Sequence, residues 1–378
     1  MKPARLSYLL LASTAAVTLL AQAPAPAVTN APARRVQNVP VRSPEIGLDR
    51  QVTFRLRWPK ATEVFVAGQW PNGRIAMTRD SNDVWSATVG PIEPGVWEYS
   101  FQVDGVSLID PGSPAIKPMR EPRTSILHLP DDPPRIHDFQ DVPHGIVRFH
   151  TYRSKSLDRL RPLAVYTPPG YDQAGETTFP TLYLQHGSGD NQNTWTVHGK
   201  AHWILDNLLA QGRAKPMVIV MMDGHAAIDN RPESRGSNTA LFERDLLEDV
   251  MPFIEANYRV KPDASARGLV GLSMGGGQSL TTGLNHAELF AWVGGFSSSV
   301  PGREGIPAAL ANPETTNGRL KLLWIACGKG DFLLKRNEDF IALLKEQNLR
   351  HEWHLTDGDH SWPVWRKYLA DFLPRLFQ

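Results

Sequence analysis

Four short apolar runs constrain the C-terminal part of this chain more than any other feature: 182–186, 217–222, 268–271 and 322–327. Each is nearly continuous rather than alternating. That is the pattern of a strand covered on both faces. Between the runs lie stretches with apolar residues at helical spacing. These are 201–211, 241–258 (with Leu246, Leu247, Val250, Phe253 and Ile254 along one side), 338–347 and 364–377. Strands alternating with helices build a mostly parallel sheet with helices on its faces. Residues 146–378 are therefore expected to form one α/β domain.

The preceding segment has a different period. Val52, Phe54 and Leu56 alternate with polar residues, as do Val64 and Val66, Trp85, Ala87 and Val89, and Tyr99, Phe101 and Val103. Asp104-Gly105 follows as a hairpin turn signal. The expectation is a small all-β, immunoglobulin-like sandwich over 41–130. A linker over 131–145 would follow, where Pro133, Pro134 and Pro143 break any period. At 378 residues, two domains fit better than one.

The N-terminus starts with Lys2 and Arg5, continues with a mostly apolar stretch from Leu6, and reaches small residues around Ala21-Gln22-Ala23. This is the layout of a secretory signal peptide over 1–23, followed by an Ala/Pro-rich linker over 24–40. The expected location is secreted or periplasmic, with no membrane attachment after cleavage. The single cysteine, Cys327, excludes a disulfide framework and ends an apolar run, so it reads as a buried strand residue. With 40 basic and 39 acidic residues the net charge is +1, which argues against nucleic acid or a polyanion as partner.

The sharpest chemical signal is Gly271-Leu272-Ser273-Met274-Gly275, a G-x-S-x-G pattern. An apolar run precedes it and a stretch able to form a helix, 278–284, follows it. That strand-turn-helix setting makes Ser273 a nucleophile candidate in an α/β-hydrolase fold. A serine hydroxyl needs a histidine to take its proton and a carboxylate to orient that histidine. In this fold the acid precedes the histidine in the chain, and both follow the serine. His360, in the turn Gly358-Asp359-His360-Ser361, is the expected base, with His354 as the alternative. Asp331, in the loop after the 322–327 run, is the expected acid, with Glu338 and Asp339 as competitors. The oxyanion donors are expected to be the N–H of Met274 and that of Ser188, in the loop His186-Gly187-Ser188-Gly189. His186 itself is expected to shape that loop.

The loop at His186-Gly187 with Trp195 after it, the GLSMGG elbow at 271–276, the GKGDF segment at 328–332 and GDHSWPVWRKYL at 358–369 together resemble family-one carbohydrate esterases. That group includes feruloyl and acetylxylan esterases; its wider relatives include esterase D and the mycolyltransferases. The resemblance spans roughly 145–378 and places the same triad on Ser273, Asp331 and His360. Val64–Gly68 and Trp97–Gly105 resemble an early-set, isoamylase-type N-terminal domain related to carbohydrate-binding modules.

The resemblance implies a secreted serine esterase acting on xylan-type plant polysaccharide or a small ester, through an acyl-serine, with no cofactor and no metal. Its alternatives are an acyltransferase, a siderophore esterase of the enterobactin type, and a non-catalytic glycan-binding protein. Trp195, Trp362 and Trp365 are candidates to flank an aromatic acyl group, although the spacing of the last two also fits core packing. Arg231 and Arg235 lie in a polar segment that either edges the cleft or forms a solvated loop. Trp70 is the better candidate for a sugar platform on the first domain, since Trp85 and Trp97 fall in strand patterns.

Overall fold

Alternating apolar residues in the first region produce two facing sheets. The computed structural model describes residues 41–227 and 234–378, with only the backbone for 234–237. The expected signal peptide and linker over 1–40, and Arg231, lie outside the described residues, as does the side chain of Arg235.

Nine strands form the N-terminal region: β1 (Glu45–Ile46), β2 (Val52–Arg57), β3 (Val64–Gly68), β4 (Arg74–Ala76), β5 (Thr78–Arg79), β6 (Val84–Val89), β7 (Gly95–Val103), β8 (Val106–Leu108) and β9 (Ser125–Leu129). One sheet has the order β1-β2-β6-β5. The other has β4-β3-β7-β8, with β9 also paired to β7. Strand β2 buries every second residue, so Val52, Phe54 and Leu56 face the opposite sheet. They share a core with Val64, Val66, Tyr99 and Phe101. Trp70 belongs to that core as well. It is 4% exposed, stacked on Phe54 at 5.4 Å and tilted against Tyr99. Trp85 is buried too. The expected platform at Trp70 is therefore corrected: its ring fills the space between the sheets and offers no face to a sugar.

The second region is built on eight strands: β10 (Ile146–Ser154), β11 (Arg159–Thr167), β12 (Thr181–Gln185), β13 (Val218–Met222), β14 (Arg267–Leu272), β15 (Trp292–Phe296), β16 (Leu322–Gly328) and β17 (Glu352–Thr356). Their order is β10-β11-β13-β12-β14-β15-β16-β17. The two pairings at the β10 end are antiparallel and all others are parallel. Each of the four apolar runs is a strand of this sheet, buried throughout. Strand β15 carried no apolar-run signal because Gly294 and Gly295 interrupt it. A Cβ on Gly295 would stand 2.4 Å from Ser298 Oγ and 2.8 Å from Leu280, so the close helix admits nothing larger.

The helices are α1 (Thr194–Val197), α2 (Ala201–Ala210), α3 (Ser234–Asp245), α4 (Met251–Asn257), α5 (Ser273–Asn285), α6 (Pro307–Ala311), α7 (Pro313–Arg319), α8 (Leu334–Glu346) and α9 (Trp362–Phe372). They cover both faces of the sheet and give it two apolar cores. One includes Tyr183, Leu269, Val293 and Ile325; the other includes Leu184, Val270, Phe296 and Trp324. Among the described residues, no helix is long and apolar enough to cross a membrane.

Residues 41–378 form one compact unit. Buried Arg366 of α9 joins the two regions. Its Nη1 donates to the carbonyl oxygen of His198 and its Nη2 to that of Val96 in β7, each at 3.1 Å. The segment between the regions holds no strand. It is tied down by Asn207, whose amide donates to the carbonyls of Ile136 and Asp138.

Candidate active site

Ser273 stands where β14 ends and α5 begins. Its φ of 52° is a left-handed conformation that non-glycine residues seldom adopt. The turn is tight enough to require small neighbours. A Cβ on Gly275 would lie 2.4 Å from the His186 carbonyl oxygen and 2.7 Å from Gln185 Cβ. One on Gly271 would lie 2.4 Å from the Gly275 backbone. The serine is thus held at the C-terminal edge of the parallel strands, over the first turn of a helix.

The two partner loops follow β16 and β17, which lie beyond β15 on the same side of β14. Lys329 N–H donates to the Thr356 carbonyl and Gly330 N–H to that of Gly358, both at 2.8 Å, so the β16 and β17 loops are laced together. This lacing sets Asp331 beside His360. His360 Nδ1 lies 2.9 Å from Asp331 Oδ2 and 3.1 Å from Oδ1, and His360 Nε2 lies 3.0 Å from Ser273 Oγ. Three residues far apart in the chain meet as an acid–histidine–serine relay. His354 is not part of it; it stacks on Trp324 and contacts Glu352.

Asp331 is buried. Burial alone would raise its carboxyl, but the His360 ring and the Leu333 N–H, which donates at 2.8 Å, outweigh this and hold it below the usual carboxylate range. An ionised Asp331 fixes the imidazole with Nδ1 protonated, which leaves Nε2 free to accept the Ser273 proton. Trp365 meets His360 edge-on at 4.9 Å and limits its rotation.

The loop 187–190 borders the serine. A Cβ on Gly187 would lie 3.5 Å from Ser273 Cβ. Two buried histidines shape this loop. His186 Nδ1 lies 2.8 Å from the Gly187 carbonyl, while its Nε2 accepts from Gly224 N–H at 2.8 Å. His225 Nε2 accepts from Gly189 N–H at 3.1 Å. Both rings serve this loop as acceptors through Nε2. The Ser188 N–H makes no hydrogen bond among the described residues, and the Met274 N–H sits in the first turn of α5. Two unengaged donors beside a nucleophile suit a developing oxyanion.

Of the residues expected to contact an acyl group, Trp195 and Trp362 are corrected. Trp195 is 1% exposed, donates to the Gln185 carbonyl at 2.9 Å and meets Trp362 edge-on at 5.0 Å. Trp362 is 4% exposed. Both pack beneath the site and support β12 and the elbow. The aromatic group that does face solvent is Phe332, which the sequence reading passed over. It is 75% exposed, and its ring centroid lies 4.4 Å from that of His360. The available signal was an aromatic residue directly after the expected acid.

Cys327 lies within the buried β16 strand, and burial pushes its thiol up to about 12. Among the described residues, no three histidine, cysteine or carboxylate side chains are grouped as metal ligands.

A family model described as "Putative esterase" matches residues 154–376. A curated relative named endo-1,4-beta-xylanase/feruloyl esterase, from Xylanibacter ruminicola, is 31% identical over 89% of this chain and 46% of its own length. An endo-1,4-beta-xylanase Y from Acetivibrio thermocellus is 25% identical over 58% of this chain and 22% of its own. The chain thus spans less than half the length of these relatives. A solved ferulic acid esterase from Anaeromyces mucronatus, in complex with ferulic acid, is 26% identical with a TM-score of 0.58, over 66% of this chain and 96% of that one. An enterobactin esterase from Shigella flexneri shares the fold at 21% identity, with a TM-score of 0.61 over 87% of this chain and 93% of that one. The strand order, the elbow at Ser273 and the family match over more than half of its length agree, and the chain belongs to this esterase family.

Proposed function

We propose that this chain is an exported serine carboxylester hydrolase that removes feruloyl groups, and secondarily acetyl groups, from xylan-type polysaccharide. The observation that carries the reading is His360, within hydrogen-bond reach of Ser273 on one side and Asp331 on the other. His360 takes the Ser273 proton as Oγ attacks the ester carbonyl. The N–H groups of Ser188 and Met274 receive the oxyanion, the sugar alcohol leaves with the proton from His360, and water then releases the acid from the acyl-serine by the same route.

The exposed ring of Phe332 favours an aromatic acyl group, because stacking removes an apolar face from water beside the reacting carbon. The relatives whose names include feruloyl or ferulic acid esterase point the same way. Export rests on the signal-like residues 1–23. We place the hydrolase over 146–378, the all-β region over 41–130 and their connection over 131–145.

The test sets purified protein against methyl ferulate, acetylated xylan and an enterobactin-type ester. The expected result is fastest release of ferulate, with turnover and fluorophosphonate labelling both lost in Ser273→Ala. Full activity in Ser273→Ala would overturn the mechanism. Faster cleavage of either other ester would overturn the substrate, and transfer of feruloyl to an added sugar in preference to water would make the chain an acyltransferase.

A further inference from the structure

The loop that carries Ser188 is held from outside its own sheet. Residues 115–120 run from the all-β region to that loop as a strap. At one end, Lys117 N–H donates to the Thr124 carbonyl at 3.0 Å, and Ile126 N–H to that of Ala115 at 2.7 Å, which anchors the strap beside β9. At the other end, Met119 pairs with Asp190 in an antiparallel bridge and Arg120 N–H donates to the Gly189 carbonyl at 2.9 Å. Thr194 Oγ1 donates to the Pro118 carbonyl at 2.6 Å.

A buried charge cluster lies under this junction. Lys117 Nζ is 3.0 Å from Glu98 Oε1 of β7 and 3.4 Å from Asp190 Oδ1. The three side chains are only 10%, 12% and 5% exposed. Glu98 also accepts from Thr124 Oγ1 at 2.9 Å and lies 3.4 Å from His198 Nε2. Asp190 N–H donates to the Gly187 carbonyl at 3.3 Å and so closes the turn that presents Ser188.

We propose that Lys117 is a positioning residue for the oxyanion loop, so that the all-β region completes the catalytic unit of the hydrolase sheet. This rests on the serine-hydrolase reading above. One ammonium lies between two carboxylates in a place from which water is largely excluded, and it is the nearest cation to Asp190, whereas Glu98 also feels the buried Arg366 guanidinium. Without it, Asp190 is left as a buried carboxylate with no ion-pair partner. Asp190 relieves that strain by moving toward solvent, and the Gly187–Asp190 turn moves with it. The Ser188 N–H then no longer points to where the oxyanion forms, while the contacts of the bound ground-state ester are unchanged.

The experiment uses the full chain, methyl ferulate as substrate, ferulate as ground-state ligand and an aryl boronic acid as mimic of the tetrahedral state. Lys117→Met keeps most of the apolar stem and removes the charge; Lys117→Arg keeps the charge. Deleting one oxyanion donor typically lowers kcat by about 10²–10³. A displaced donor is expected to lower it by roughly 10-fold or more in Lys117→Met. KM and ferulate affinity stay unchanged, boronate affinity falls by the same factor, and Lys117→Arg recovers most of the loss. If Lys117→Met does not fold, the double variant Glu98→Gln, Lys117→Met relieves one anion, still leaves Asp190 without its cation, and is expected to show the same loss.

Folded variants with kcat and boronate affinity within twofold of the parent would overturn the proposal, as would a change in KM alone. Activity that survives Ser273→Ala would overturn the serine-hydrolase reading instead, so the two failures are distinguishable.

Discussion

Phe332 lies over the imidazole of His360 with the ring centroids 4.4 Å apart, and three-quarters of its surface meets solvent. An aromatic ring this exposed beside a histidine–serine pair is a ready surface for a flat acyl group. Phe332→Ala is expected to lower kcat/KM for methyl ferulate by about 10-fold, since the contact combines apolar burial with ring–ring geometry. Its kcat/KM for a small acetyl ester should stay within twofold of the parent. Parallel kinetics on the two esters check this, and equal losses on both would assign Phe332 to holding His360 instead.

Asp331→Asn keeps the shape of the acid but removes its charge. The amide presents an N–H to a ring that needs an acceptor, so the imidazole tautomer is reversed. In a triad this change lowers kcat by roughly 10⁴ while the geometry survives. Turnover of methyl ferulate at neutral pH, with a circular-dichroism control for folding, measures it. A loss below 10-fold would mean that another carboxylate orients His360.

Gly275→Ala forces a methyl group to within 2.4 Å of the His186 carbonyl. The contact is with backbone, which a rotamer change cannot relieve. Either the elbow or the oxyanion loop must shift. The expected outcome is a loss of about 1–3 kcal/mol in stability together with at least 10² in kcat. Thermal melts and turnover on one sample distinguish this from a purely catalytic effect.

His225 accepts a hydrogen bond from Gly189 and must be neutral to do so. Burial, reinforced by the positive charge of Arg120 and Arg161 and opposed by Asp223, pushes it down to about 4 from its usual 6.5. The unfolded chain therefore binds this proton at higher pH than the folded chain does. Stability contributed by neutral His225 is present above pH 6.5 and is lost as pH falls toward 4, by up to about 3 kcal/mol for a shift of this size. His137 and His202, also pushed to about 4 by burial, add to the same window. His225→Gln offers the same Gly189 N–H an uncharged acceptor. Its melting temperature should fall less than that of the parent between pH 6.5 and 4, whereas parallel curves would assign the acid sensitivity elsewhere.

Much of the site could be read from the chain because its parts are local. The elbow is five consecutive residues whose small neighbours are required by the turn itself, Asp331 follows an apolar run that marks a strand end, and His360 lies in the turn Gly358-Asp359-His360-Ser361. The same reasoning failed for aromatic rings. Trp70, Trp195 and Trp362 lie next to turn or loop signals, and nothing in such a signal says whether a ring points outward or inward. In each case burial of a large apolar ring, worth about 2 kcal/mol or more, turned it into the core. Phe332 went the other way: it stays 75% exposed, with its ring against His360.

The sequence by itself determined the period of the all-β region, the four fully buried strands and the helices between them, and which serine, acid and histidine could be brought together. These follow from hydrophobic period, glycine placement and chain order. Only the tertiary structure decided what surrounds that serine. The Lys117 strap, the buried pair His186 and His225, and the exposed ring of Phe332 depend on contacts between segments remote in the chain, where packing and buried charge decide the outcome and no local pattern records it.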